Sequence, residues 1–381
     1  MEVINTIPLN FKIVGGNARP TNIEIAAVGK GLINDTYLVN ISTEGSHTGT
    51  FTTNKRYILQ RINTHVFQNV DNLMSNIEKV SKHLQAKVDS RSVGASTSCC
   101  LVVVYTNENK LFWRGKSEEY WRMYHYIPNS ITFTVSPGER YLYEAGRAYG
   151  QFQRDLSDLA TPEELHETLV DFHNTPKRMV SFRRAVLDDK CKRAQNARDE
   201  ISYIESKAAI VNVIFDMLFD ERLPKRVAHN DTKLENVLFD VKTRAALCVV
   251  DYDTIMPNGS ILYDYGDAIR SMSNTSPEDE KDLGKVDFDL LSFQRFTEGF
   301  LKELRMVITE KEKDTLPTGA LVITFEQTIR FLSDYLMGDI YFKIDYPNHN
   351  LDRARNQLKL FKGMLANEKE MFDVVRKINL S

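Results

Sequence analysis

Residues 228–240 read AHNDTKLENVLFD and, after a short turn-like spacer, residues 246–269 read ALCVVDYDTIMPNGSILYDYGDAI. A polar cluster of His229, Asp231, Lys233 and Asn236 precedes one apolar run, residues 237–239. A second run, residues 246–250, stops at Asp251 and Asp253. The order is loop, strand, turn, strand and acidic loop, and two such runs pair as a hairpin. Pairing brings the cluster before the first strand and the carboxylates after the second to the same end. A base and three oxygen ligands then share one site.

That layout suits phosphoryl transfer, in which the protein mainly positions the nucleophile and neutralises charge. A His, an Asp two residues on, a Lys two after that and an Asn five after the Asp have the spacing of a protein-kinase-type catalytic loop. In this reading Asp231 accepts the proton of the attacking hydroxyl, and Lys233 is a point cation on the transferring group. Asn236 and Asp251 supply oxygen to Mg²⁺, a hard cation that takes few ligands from the protein. His229 is expected to support the loop. Asp253 is either a brace behind the ligands or an ordinary acidic loop residue. Asp267, after Gly266, is expected to cap a helix or brace the catalytic loop.

The phrases HNDTKLENVLFD, VDYDT and LYDYGDAIR, with GLINDTY near the start and YILQRIN after it, resemble the aminoglycoside-phosphotransferase-like kinases, and within them the N-acetylhexosamine 1-kinases. The resemblance runs from about residue 20 to about residue 365. It implies a two-lobed α+β fold of the protein-kinase type, with a small β-sheet lobe over residues 1–127 and a mainly helical lobe over residues 128–381. It also implies ATP as co-substrate, clamped with Mg²⁺ between the lobes, and transfer to the anomeric hydroxyl of N-acetylglucosamine or N-acetylgalactosamine. The alternatives are a kinase of the same superfamily acting on choline, homoserine, an aminoglycoside or another sugar, and a non-catalytic pseudokinase.

Composition sets the bounds around this. A chain of 381 residues, 42% hydrophobic, builds a sizeable core and is long enough for two lobes. A formal charge of −3 does not point to a general nucleic-acid or membrane-surface binder. The four cysteines, Cys99, Cys100, Cys191 and Cys248, have no metal-ligand spacing and are expected to be free thiols in a reducing compartment. The first residues lack a signal-peptide pattern, and no apolar run reaches the length of a membrane span. A cytoplasmic monomer with small-molecule partners is the expectation.

The first lobe begins with strand-like runs at residues 23–28, 36–41 and 57–62. Between the first two, Gly29 and Gly31 sit where a kinase hairpin lets backbone amides approach the ATP phosphates. The third run carries Gln60 and Arg61 where kinases place a phosphate-gripping Lys. Alternation sends them to opposite faces, and Arg61 is the expected cation. Residues 70–85 read as the lobe's main helix, with Glu78 the expected partner of that cation. The run at residues 120–127 ends before Pro128 and reads as the hinge, where Tyr124, Tyr126 and Ile127 would offer backbone groups and an apolar slot to adenine.

Beyond the hinge, residues 139–159, 181–198, 201–219 and 285–304 read as helical, with a capped loop at residues 171–176. Around residues 328–342, Arg330 and Asp334 lie one helical turn apart and Tyr341 follows Gly338. Planar polar groups beside an aromatic suit a sugar, and the resemblance implies Arg330 and Tyr341 as acceptor contacts. An internal Arg–Asp pair on the helix is the alternative. Asn34 and Tyr265 are further candidates for the acceptor pocket.

Overall fold

In the computed structural model, residues 4–13, 20–28, 33–44, 52–91, 99–159 and 162–379 are described. The chain divides into two compact units: residues 1–130 with 163–169, and residues 131–162 with 170–381.

The first unit is built on β1 (Pro20–Ala27), β2 (Asp35–Glu44), β3 (Thr52–Ile62), α1 (Val70–Arg91), β4 (Trp113–Arg114) and β5 (Tyr120–His125). The strands form one sheet in the order β1-β2-β3-β5-β4, and each recorded pairing is antiparallel. The β2–β3 ladder runs out to Glu44 opposite Thr52. Outside the named strands, Val103 makes an isolated bridge to Tyr124.

The two faces of this sheet differ. Tyr57 and Leu59 of β3 share a core with Val39, Ile41, Trp121, Met123 and the N-terminal Ile7, Phe11 and Ile13. The even-numbered face lies against α1: Arg122, 1% exposed and in register with Gln60, reaches Met74 of α1 through Nη1. The apolar stripe of α1, Val70, Leu73, Ile77, Val80 and Leu84, is buried as its spacing requires.

The two-residue strand β6 (Ser130–Ile131) straddles the boundary. The second unit holds α2 (Glu139–Leu156), α3 (Thr175–Asp188), α4 (Arg198–Ser206), α5 (Val213–Phe219), β7 (Arg226–Ala228), β8 (Val237–Asp240), β9 (Ala246–Val249), β10 (Met256–Gly259), α6 (Ile261–Met272), α7 (Leu290–Leu304), α8 (Glu310–Met337), α9 (His349–Ala366) and α10 (Glu368–Lys377). Caps set several boundaries. Asn174 accepts the Lys177 amide, with Pro176 in the first turn of α3. Asp289 accepts the Leu291 amide at the start of α7, which therefore begins later than the expected residue 285.

Helix α6 is seated on α8 by a pair of glycines. A Cβ on Gly266 would fall 2.5 Å from the Gly319 carbonyl oxygen, and one on Gly319 would fall 2.7 Å from the Leu262 carbonyl oxygen. Only glycine permits that approach, and it fixes the helix that carries Asp264 and Asp267.

Candidate active site

The hairpin expected from the sequence is present. β8 pairs antiparallel with β9, with Val237 opposite Val249, and the Val250 amide donates to the Asn236 carbonyl at 2.9 Å. Asn236 and Asp251 are thereby held at one end of the hairpin. Asp251 has φ 66°, as has Asn230 in the preceding loop. Left-handed backbone at two non-glycine residues is strained, and persists where the surroundings over-determine it.

Those surroundings begin with His229, 0% exposed and edge-on to the rings of Tyr149, Phe152 and Tyr252. Its Nδ1 accepts the Asp231 amide at 3.3 Å, and its Nε2–H donates to the Val250 carbonyl at 3.0 Å. One imidazole thus joins the polar loop to the residue before Asp251. From α6, Asp264 accepts the amides of His229 at 3.0 Å and Asn230 at 2.8 Å, and Asp267 accepts the amide of Thr232 at 2.8 Å. Asp264 also takes Gln153 Nε2 at 2.6 Å, and burial still pushes its carboxyl above the ordinary value. Asn230 Nδ2 donates to the carbonyls of Ala228 and Thr254, and Tyr149 Oη donates to that of Lys233. The loop is pinned on both sides of Asp231, an arrangement that holds a reactive group in place.

Asp231 and Lys233 form an ion pair of 2.8 Å, with side chains 23% and 31% exposed. Burial pushes the Asp231 carboxyl up, but Lys233 and the hydrogen bond from Asn236 outweigh it and hold the group below its usual range. Burial works the other way on Lys233, and the carboxylates of Asp231 and Asp267 overcome it, raising the ammonium above its ordinary value. Asn236 Nδ2 donates to the Asp231 backbone and side-chain oxygens at 2.8 and 3.1 Å. The amide nitrogen is spent, so the amide oxygen is the group left to ligate. That oxygen and the Asp251 carboxylate are hard donors of the chemical kind Mg²⁺ takes. Asp253, 3% exposed, lies in the short turn that follows.

Several expected residues take other positions. Asp267 does not open its helix: α6 starts at Ile261 with Ser260 as cap. Tyr265, a candidate acceptor contact from the sequence, has no open surface to offer: it is 0% exposed, bonded to Thr297 at 2.7 Å and enclosed by Phe293, Phe296 and Phe300. Arg61 does not meet Glu78. It lies on the face of β3 away from α1 and donates to Asp35 through Nε at 2.8 Å, while Glu78 bonds Lys82 at 2.7 Å and the Tyr105 hydroxyl. The cation on the α1 side is Arg122, whose Nε donates to Gln60 Oε1 at 3.0 Å. Asn34 accepts the Asn63 amide at 3.0 Å. Tyr124 is buried in β5, and Arg56 lies 4.1 Å from the Tyr126 ring with Ile127 next along the chain. Gly29 and Gly31 lie outside the described residues.

Arg330 is half-buried, its guanidinium carbon 5.0 Å from the Phe172 ring centre, 5.5 Å from that of Phe342 and 5.9 Å from that of Tyr341. It is not paired with Asp334, which turns inward to accept the amides of Ile340, Tyr341 and Phe342 at 2.8–2.9 Å and so shapes the aromatic loop. Beside Arg330, burial and the neighbouring guanidinium lower the Arg178 value. Glu326 is engaged by His173 Nδ1 at 2.9 Å and Thr175 Oγ1 at 2.5 Å. The His173 ring lies 4.8 Å from that of Tyr263 on α6.

A carboxylate–ammonium pair is thus braced beside two oxygen-bearing side chains, Asn236 and Asp251, on an α+β chain. Residues 24–296 match the phosphotransferase enzyme family, and the chain belongs to that family. Solved structures of similar fold include a microcompartment-associated aminopropanol kinase, 12% identical over 100% of this chain and 99% of that one, TM-score 0.55. Choline kinase from Cryptosporidium parvum Iowa II is 14% identical over 98% and 96%, TM-score 0.58. Spectinomycin phosphotransferase in complex with ADP and spectinomycin is 12% identical over 100% and 98%, TM-score 0.52. These likenesses establish a two-lobed kinase-like fold.

Proposed function

We propose that the protein is an ATP-dependent small-molecule kinase that phosphorylates the anomeric hydroxyl of an N-acetylhexosamine. The braced Asp231–Lys233 pair beside Asn236 and Asp251 carries this reading. Asp231 takes the proton of the sugar hydroxyl as its oxygen attacks the γ-phosphorus. The bond from that phosphorus to the β–γ bridging oxygen breaks and ADP leaves. Lys233, kept charged by its carboxylate neighbours, neutralises the transferring group. Asn236 and Asp251 would hold Mg²⁺, which when bound neutralises phosphate charge.

The acceptor assignment rests on the Arg330 cluster. Guanidinium groups beside Phe172, Tyr341 and Phe342 offer hydrogen bonds and ring faces, as a neutral sugar requires. Arg178 Nε and His173 Nε2 are buried polar atoms without a protein partner among the described residues. A cationic acceptor of the choline or aminoglycoside kind calls for open carboxylates and aromatic faces. Here Arg178 and Arg330 stand together, and Glu326 is already engaged.

A panel of free sugars and amino alcohols with ATP tests the assignment. Asp231→Asn is expected to lower kcat by about 10²–10⁴-fold while the protein stays folded. Arg330→Ala is expected to raise the sugar KM by about tenfold or more, with the KM for ATP little changed. An unchanged sugar KM would remove Arg330 from the pocket.

A further inference from the structure

We propose that Arg270 is a positioning residue for phosphoryl transfer, holding Asp267 so that the amide next to the base stays in place and tying it to Glu278 on the segment after α6. The proposal rests on the reading of Asp231 as the base. Arg270 follows Asp264 and Asp267 at three-residue spacing on α6 and is 4% exposed. Its Nε and Nη2 donate to Asp267 Oδ1 at 3.0 and 2.8 Å, while Asp267 Oδ2 accepts the Thr232 amide at 2.8 Å. The two oxygens of one carboxylate are thus divided between the cation and the catalytic loop.

The remaining arm of the guanidinium, Nη1, donates to Glu278 and to Gln357 Oε1 at 3.3 Å. The segment bearing Glu278 is itself fixed from α9. Asn356, 0% exposed, donates to the Pro277 carbonyl at 2.9 Å and accepts Asn274 Nδ2 at 2.9 Å, and Gln357 Nε2 donates to Asn356 Oδ1 at 3.1 Å. Three buried side chains from two helices therefore set two carboxylates about one guanidinium. Burying an ion pair brings little net stability, but removing one partner leaves an uncompensated buried charge. Without Arg270, the Asp267 carboxylate gains a proton or turns away. The first weakens the bond from the Thr232 amide, one residue from Asp231, and the second breaks it.

Backbone hydrogen exchange on the full chain reads this directly. In Arg270→Met the amides of residues 229–236 are expected to exchange about tenfold faster or more, while those of α2 and α7 keep wild-type protection. Arg270→Lys, which keeps the charge but loses the fork, is expected to lie between Met and wild type. Turnover with ATP and N-acetylglucosamine is expected to show kcat lowered by about 10–100-fold in the Met variant, with the KM for ATP unchanged. Wild-type loop exchange in Arg270→Met, or faster exchange spread equally over α2 and α7, would overturn the proposal. If the Met variant does not fold, wild-type loop exchange in Arg270→Lys would overturn it. The exchange result needs no acceptor, so a mistaken sugar assignment would fail in the turnover arm alone.

Discussion

At the scale of single residues, Asp231 and Lys233 set each other's charge. A carboxyl held below its unfolded value, about 3.9 for Asp, stabilises the folded protein at pH values above that value. The contribution is lost as pH falls through the folded value. The stability of the wild type relative to Asp231→Asn is therefore expected to decline on acidification below about pH 4, as thermal melts across pH would show. A relative stability that grows on acidification would contradict the ion pair. Arg61 makes the opposite case. Its pair with Asp35 is half exposed on both sides, so Arg61→Ala is expected to cost no more than about 1 kcal/mol and to leave the KM for ATP unchanged. The alternation of β3 was legible in the sequence, but not which face meets α1. That choice depends on the packing of distant residues, Phe11 and Trp121 on one side and Met74 on the other.

At the scale of elements, α6 is the support of the loop that carries Asp231. The period of Asp264 and Asp267 is the signal that both face that loop, and reading Asp267 as a helix start hid the role of Asp264. The same stretch, LYDYGDA, reads as polar, so the burial of Tyr265 is visible only once α7 supplies Phe293, Phe296 and Phe300. Gly266→Ala would push a methyl group into the Gly319 carbonyl. It is expected to destabilise the fold by about 1–3 kcal/mol, measured by denaturant unfolding, and to slow turnover because α6 shifts with its two carboxylates. The β8–β9 hairpin was the most legible element. Both its strands are short and apolar, and its ends carry the polar residues, a local pattern that needs no distant partner.

At the scale of the whole molecule, composition and periodicity foretold a β-sheet region with one main helix and a mostly helical remainder, and the family match extends over residues 24–296. Among the described residues no helix is long and apolar enough to cross a membrane. The surroundings of Arg330 were harder to read. Arg330 meets Phe172 across more than 150 residues of chain, and Asp334 acts on backbone amides rather than on its helical neighbour. The most direct measurement is ³¹P NMR of wild type and Asp231→Asn incubated with ATP, Mg²⁺ and N-acetylglucosamine or N-acetylgalactosamine. The wild type is expected to yield a phosphomonoester at the anomeric position and the Asn variant almost none. Phosphate on another sugar position, no sugar phosphate at all, or equal product from the two proteins would contradict the assignment.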